Sequence, residues 1–275
     1  MINIKPKLIF IASIVFIGSF LIGHFIHQNI SILKIYSCPI SKQNGNANFF
    51  SQGLEDYILS IVLSDIKKGT YIDVGAYHPD IDSVTKYFYI RGWHGINIEP
   101  AKELYELFQK NRPLDININM GASNKAGKIK FHYIANSPGL STFNHILAKN
   151  IKNHNLPYYT YFVPVTTLNH ILTLYPLQHI DFIKIDVEGF ERQVLEGLDL
   201  KKYRPKIFII EALEPISLKS SYQLWEHILL NNNYEWVLSD GLNRYYLAKE
   251  HINLLKKFKK AYKCVRKLNN TAILK

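Results

Sequence analysis

Cysteine is scarce in this chain: Cys38 and Cys264 are the two it has, so no disulfide framework organises the fold and the redox compartment stays open. Glycine-rich phosphate loops are also missing. Where many nucleotide-binding loops carry further glycines the chain has Tyr77-His78-Pro79, which leaves Gly75 alone. Eleven histidines are present, yet none shows a metal-ligand spacing such as His-Glu-x-x-His. His78, His94 and His145 could each serve as a base near neutral pH, but none has a readable partner, and they are read first as solvent-facing or hydrogen-bonding groups. No internal repeat is visible.

Positive charge exceeds negative by 11, but unevenly. From Lys249 to Lys275 there are nine Lys or Arg against the single Glu250, which leaves about +3 for the rest of the chain. That distribution argues against a nucleic-acid-binding core and for a basic tail lying near something anionic. With 275 residues, 47% of them hydrophobic, the chain can bury one substantial core plus an appendage.

Leu8 to Gly23 is apolar except for Ser13 and Ser19, and Phe25 and Ile26 extend the run. Its length of roughly 16 to 19 residues is at the lower edge of a membrane-spanning helix. Lys5 and Lys7 precede it and no small-x-small cleavage site follows. Residues 1–26 are therefore expected to form an uncleaved single-pass membrane anchor, with the side of the folded domain undecided. Residues 27–48, with Asn44-Gly45-Asn46-Ala47-Asn48, are expected to be a stalk. The folded domain is expected over 49–248 and a basic amphipathic tail over 249–275. That tail carries Phe258, Val265 and Leu268 at helical spacing. Its lysines face either an anionic membrane surface or plain solvent.

Within the domain, Tyr71-Ile72-Asp73-Val74-Gly75-Ala76 and, about 20 residues on, Gly95-Ile96-Asn97-Ile98-Glu99-Pro100 read as buried strands that end at an acid, a glycine or a proline. Helices are expected over 55–63, 82–89, 100–111, 166–175, 190–198 and 222–230. Further strands are expected over 116–120, 128–134, 181–186 and 206–211, with a closing hairpin at 234–238 and 244–248. Residues 137–164 read as irregular. The alternation of strand and helix predicts an α/β fold with a doubly wound, mostly parallel sheet. In such a fold ligands lie beyond the carboxyl ends of the strands. There Asp73 and Gly75 fit a close backbone approach, and Glu99 fits an acceptor for ribose hydroxyls.

Several stretches together resemble the FkbM-type S-adenosylmethionine-dependent methyltransferases. They are Ser51-Gln52 with Glu55-Asp56, Tyr71 to Ala76, Gly92 to Pro100, Leu140-Ser141-Thr142-Phe143, Val165-Thr166-Thr167-Leu168, and Asp181-Phe182-Ile183-Lys184-Ile185-Asp186-Val187-Glu188-Gly189. The resemblance implies a class I methyltransferase fold with S-adenosylmethionine as cofactor. It makes Asp73, Gly75, Ala76, Tyr77, Glu99, Gly121 and Ala122 cofactor-side residues, with Ser141 and Thr142 on the acceptor side. Asp186 and Glu188, two apart at a strand end, can aim both carboxylates into one crevice, to orient the acceptor or take its hydroxyl proton. The same pair could instead hold a divalent cation, although no metal ligand set is assigned. Glu188 or Glu191 could equally cap the following helix.

The function expected is O-methylation of a sugar or glycan hydroxyl. A membrane-anchored glycosyltransferase using a metal-bound nucleotide sugar, and a non-catalytic membrane-associated binding protein, are the alternatives. Expected partners are the membrane and a glycan, not nucleic acid.

Overall fold

A computed structural model describes residues 49–266 and 273–274. The expected anchor and stalk lie outside the described residues. Among the described residues no helix is long and apolar enough to cross a membrane. That finding contradicts the membrane localisation expected from the sequence.

Eleven strands are described: β1 Thr70–Val74, β2 His94–Ile98, β3 Ile116–Ile118, β4 Gly121–Ala122, β5 Gly127–Tyr133, β6 Tyr159–Thr166, β7 Phe182–Ile185, β8 Ile207–Glu211, β9 Tyr234–Ser239, β10 Asn243–Ala248 and β11 Ile273–Leu274. Eight of them form one sheet in the order β11-β9-β10-β8-β7-β1-β2-β3. The run from β3 to β8 is parallel, and β9, β10 and β11 close the sheet with antiparallel pairings. The strand order reverses between β1 and β7, which is the switch point at which doubly wound sheets bind ligands.

Sequence explains why these strands are central. Tyr-Ile-Asp-Val in β1, Phe-Ile-Lys-Ile in β7 and Ile-Phe-Ile-Ile-Glu in β8 are buried throughout, as a sheet covered on both faces requires. One face is covered by α1 (Glu55–Val62), α2 (Lys86–Tyr89) and the C-terminal helix, through Tyr57, Ile58, Phe88 and Phe258. The other is covered by Leu168, Ile171, Val194, Leu195 and Leu229. These side chains come from α5 (Leu168–Leu174), α6 (Glu191–Glu196) and α7 (Glu226–Leu230), numbered after α3 (Lys102–Asn111) and α4 (His145–Asn153).

A second sheet, ordered β4-β6-β5, pairs β5 with β6 antiparallel from Gly127↔Val165 to Tyr133↔Tyr159. Phe131, Tyr133, Phe143, Val163 and Val165 pack it against Ala101 and Leu104 beside α3.

Four expectations change. Residues 137–164 are not irregular: they contain α4 and most of β6, and α4 is capped by Asn144, whose side chain accepts from the Ile146 and Leu147 amides at 3.0 and 3.3 Å. The helix expected over 82–89 shrinks to Lys86–Tyr89, since Asp82 takes φ +52°. Trp225, with φ −135° and 1% exposure, breaks 222–230 into a 3-10 turn and α7, turning its ring into the core. The basic helix, α8 (Leu255–Val265), does not present an apolar face to a surface. Phe258, Ala261, Cys264 and Val265 are 0–6% exposed and join the core cluster of α1.

Candidate active site

The cleft lies at the carboxyl edge of β1, β2 and β7 and is closed on the far side by the small sheet. Its cavity volume is about 40 Å³. Gly75, Tyr77, Glu99, Gly121, Ala122, Ser141, Asp186 and Glu188 all line it, together with Phe131 and Phe143. Asp73, Ala76 and Thr142 do not.

Gly75, just past β1, packs against the backbone of Asp186, just past β7. Its φ is +74°, and a Cβ there would lie 1.8 Å from the carbonyl oxygen of Asp186. Only glycine suits such a conformation at such a distance. The amides of Gly75 and Ala76 both donate to the Ile98 carbonyl, at 3.0 and 3.2 Å. The two residues thus tie β1 to β2.

Glu99 is 5% exposed, and both its oxygens are engaged by backbone donors. Oε2 accepts from the Tyr77 amide at 2.8 Å and Oε1 from the Ala101 amide at 2.7 Å. Burial pushes its pKa up to about 8. Each carboxylate oxygen accepts more than one hydrogen bond, so this grip fixes the side chain and leaves acceptor capacity toward the cleft.

Asp73 lies beneath the cleft. Its Oδ2 accepts from Thr85 Oγ1 at 2.8 Å, and Thr85 Oγ1 in turn accepts from the fully buried Arg112 at 2.7 Å. Asp73 therefore fixes the loop after β1 from behind. His78 does the same from above: its Nδ1 accepts from the Asp80 and Ile81 amides, both at 3.0 Å. Such a ring is committed to the loop and is no free base.

On the β7 side, Asp186 pairs with Lys184 at 3.1 Å. Burial draws the Lys184 pKa down, but the Asp186 and Asp73 carboxylates outweigh it and hold the ammonium up. Glu188 follows with φ +51°, a strained value for a non-glycine residue. Thr142, 0% exposed, pins it by donating from Oγ1 to the Glu188 carbonyl at 2.7 Å. Neither Glu188 nor Glu191 caps the helix, which starts after Phe190 with no side-chain cap; Glu191 Oε1 instead accepts from the loop amides of Val187 and Gly189 at 3.2 and 3.1 Å.

Glu211, at the end of β8, was missed by sequence reasoning. Ile185 pairs with Ile210, which sets Glu211 beside Asp186. Its signal was an acid closing an apolar run, as at Asp186 itself. Carboxylate oxygens of Asp186, Glu188 and Glu211 all lie within 4.8 Å of one another. Burial first, and the neighbouring carboxylates second, raise the pKa of both Glu188 and Glu211 well above the usual range.

The sheet is doubly wound, with a glycine close approach, an acid after β2 and acids after β7 gathered at the switch point where such folds bind ligands. The family model described as the methyltransferase FkbM domain matches residues 73–236, so the chain belongs to the FkbM methyltransferase family. Membership implies S-adenosylmethionine as methyl donor. Among curated proteins nothing matches the chain.

Similar solved structures include an O-methyltransferase from Bacillus cereus in complex with SAH (11% identity, 74% of this chain and 82% of that one, TM-score 0.39). Others are a precorrin-6y C5,15-methyltransferase from Geobacter metallireducens (11%, 71% and 78%, 0.36) and a putative RNA methyltransferase from Pyrococcus horikoshii (11%, 76% and 95%, 0.36). At such scores the likeness says nothing of the chemistry.

Proposed function

We propose that the chain transfers a methyl group from S-adenosylmethionine to a hydroxyl oxygen of a sugar or glycan. The observation that carries this reading is the convergence of Gly75, Glu99 and Asp186 on one cleft. Glu99, held by two amides, is the ribose acceptor. Asp186, partly exposed and oriented by Lys184, faces the acceptor. An acceptor oxygen attacks the methyl carbon in line, the carbon–sulfur bond electrons return to sulfur, and the hydroxyl proton passes to Asp186. Phe131, Phe143 and Tyr77 give the cleft aromatic walls suited to a sugar face. Family membership favours this reading over nucleotide-sugar transfer and over a binding role.

Calorimetric titration of the full chain with S-adenosylmethionine and S-adenosylhomocysteine, beside Glu99→Gln, tests it. At about pH 9, where Glu99 is ionised, saturable binding weakened roughly ten- to a hundredfold in the variant is expected, the worth of a hydrogen bond to a charged group. A folded chain that binds neither ligand would refute it.

A further inference from the structure

The carboxylates at the ends of β7 and β8 are more numerous than methyl transfer needs. Asp186, Glu188 and Glu211 place three oxygens within 4.8 Å of one another. Glu188 and Glu211 are 8% and 7% exposed; Glu188 Oε2 is buried without a hydrogen-bond partner, and Glu211 meets the Asp186 carboxylate, an acid like itself. Lys184, 3.1 Å from Asp186 Oδ2, brings one positive charge to a group of three acids. Buried acceptors of this kind are costly unless something occupies the space between them.

We infer that Asp186, Glu188 and Glu211 bind a single hard divalent cation of the Mg²⁺, Mn²⁺ or Ca²⁺ class. Three observations specify it. The donors are oxygen only, with no histidine or thiolate, which selects hard ions over zinc or copper. The spacing fits, because opposed ligands on bonds of 2.3–2.6 Å stand about 4.6–5.2 Å apart and adjacent ones closer. The direction of Glu188 is built in rather than accidental: its left-handed backbone is held by Thr142 Oγ1 and by the Glu191 loop.

Two of the three ligands, Asp186 and Glu188, also line the cleft. The open coordination positions therefore face the acceptor, and a pair of neighbouring hydroxyls on a sugar completes them. That last assignment rests on the proposed methyl transfer; the cation site itself does not.

The test is titration of the full chain, stripped by chelator, with Mn²⁺, reading free Mn²⁺ by electron paramagnetic resonance. Mg²⁺ and Ca²⁺ serve as competitors. One Mn²⁺ per chain is expected, displaced by either competitor and weakened at least tenfold in Glu211→Gln and in Glu188→Gln. Both variants are near-isosteric, and their thermal unfolding is recorded alongside. A wild-type chain that takes up no Mn²⁺, or uptake unchanged in both folded variants, overturns the inference. S-adenosylhomocysteine binding, measured on Glu211→Gln, is expected to be unchanged, since Glu211 does not line the cleft. A wild-type chain that binds S-adenosylhomocysteine but takes up no Mn²⁺ overturns the cation site alone, and one that takes up Mn²⁺ but binds neither form of the cofactor overturns the methyltransferase reading alone.

Discussion

Replacing Gly75 by alanine separates two effects that meet at one residue. The first is conformational: at φ +74° an L side chain costs about 1–2 kcal/mol. The second is steric. The new Cβ would stand 1.8 Å from the Asp186 carbonyl oxygen and 3.1 Å from Val187 Cγ1, so β1 and β7 would have to part by more than an ångström. Overpacking of that kind costs about 1–3 kcal/mol, which brings Gly75→Ala to about 2–5 kcal/mol. Gly92→Ala is the control. Its φ of +81° is comparable, yet nothing lies within 4 Å of its would-be Cβ, so it carries the conformational cost alone. Urea unfolding with linear extrapolation measures both. Gly75→Ala should exceed Gly92→Ala by about 1–3 kcal/mol and should also weaken cofactor binding, because the residue it displaces is Asp186. Equal costs would show that the two strand ends are not in the close contact described, and the cleft as drawn would fall with them.

Three further outcomes follow from the buried groups. Burial raises Asp56 to about 7, Glu99 to about 8 and Glu191 to about 7, all above the ordinary carboxylate range. The folded chain thus holds protons that the unfolded chain releases. Their contribution is full below about pH 4, and it is lost progressively as pH rises to about 8. Urea unfolding at fixed salt should show stability falling over that window, by at most about 1.4 kcal/mol per pH unit for each group, with a shallower fall between pH 5 and 8 in Glu99→Gln; a stability that rises there would refute it. Phe258→Ala should cost about 3–5 kcal/mol by thermal or urea unfolding, while Lys259→Gln with Lys260→Gln should stay within about 0.5 kcal/mol. Thr142→Val, which leaves the Glu188 carbonyl without its donor, should cost about 1–3 kcal/mol and lower kcat more than it raises KM.

The strands were the most legible part of the chain, because parallel strands buried on both faces leave near-continuous apolar runs. Tyr71 to Val74 and Ile207 to Glu211 announce themselves in this way. Gly75 and Glu99 were legible for a related reason, since each stands where such a run ends. What failed to show depends on neighbours distant in sequence. Glu211 means little until β8 is known to lie beside β7. Thr142 reads as part of an acceptor wall until its hydroxyl is seen on the Glu188 carbonyl, and the apolar stripe of α8 cannot say whether lipid or α1 covers it.

Two residues facing the cleft, Tyr77 and Glu188, hold left-handed backbone at φ +56° and +51° without being glycine. Each such residue costs of order 1–3 kcal/mol and persists only where its surroundings over-determine it. Here the surroundings are identifiable. Glu99 Oε2 holds the Tyr77 amide, while Thr142 holds the Glu188 carbonyl. The two strained turns follow the neighbouring strands β1 and β7, and Gly75 lets the backbones that leave those strands approach. Positioning in this site is thus distributed: the groups that would touch donor and acceptor are aimed by Asp73, Thr85 and Arg112 behind one loop and by Thr142 and Glu191 behind the other. A substitution among these supporting residues should therefore impair turnover without touching either ligand, since displacement of a reacting group by about 1 Å can cost on the order of a hundredfold.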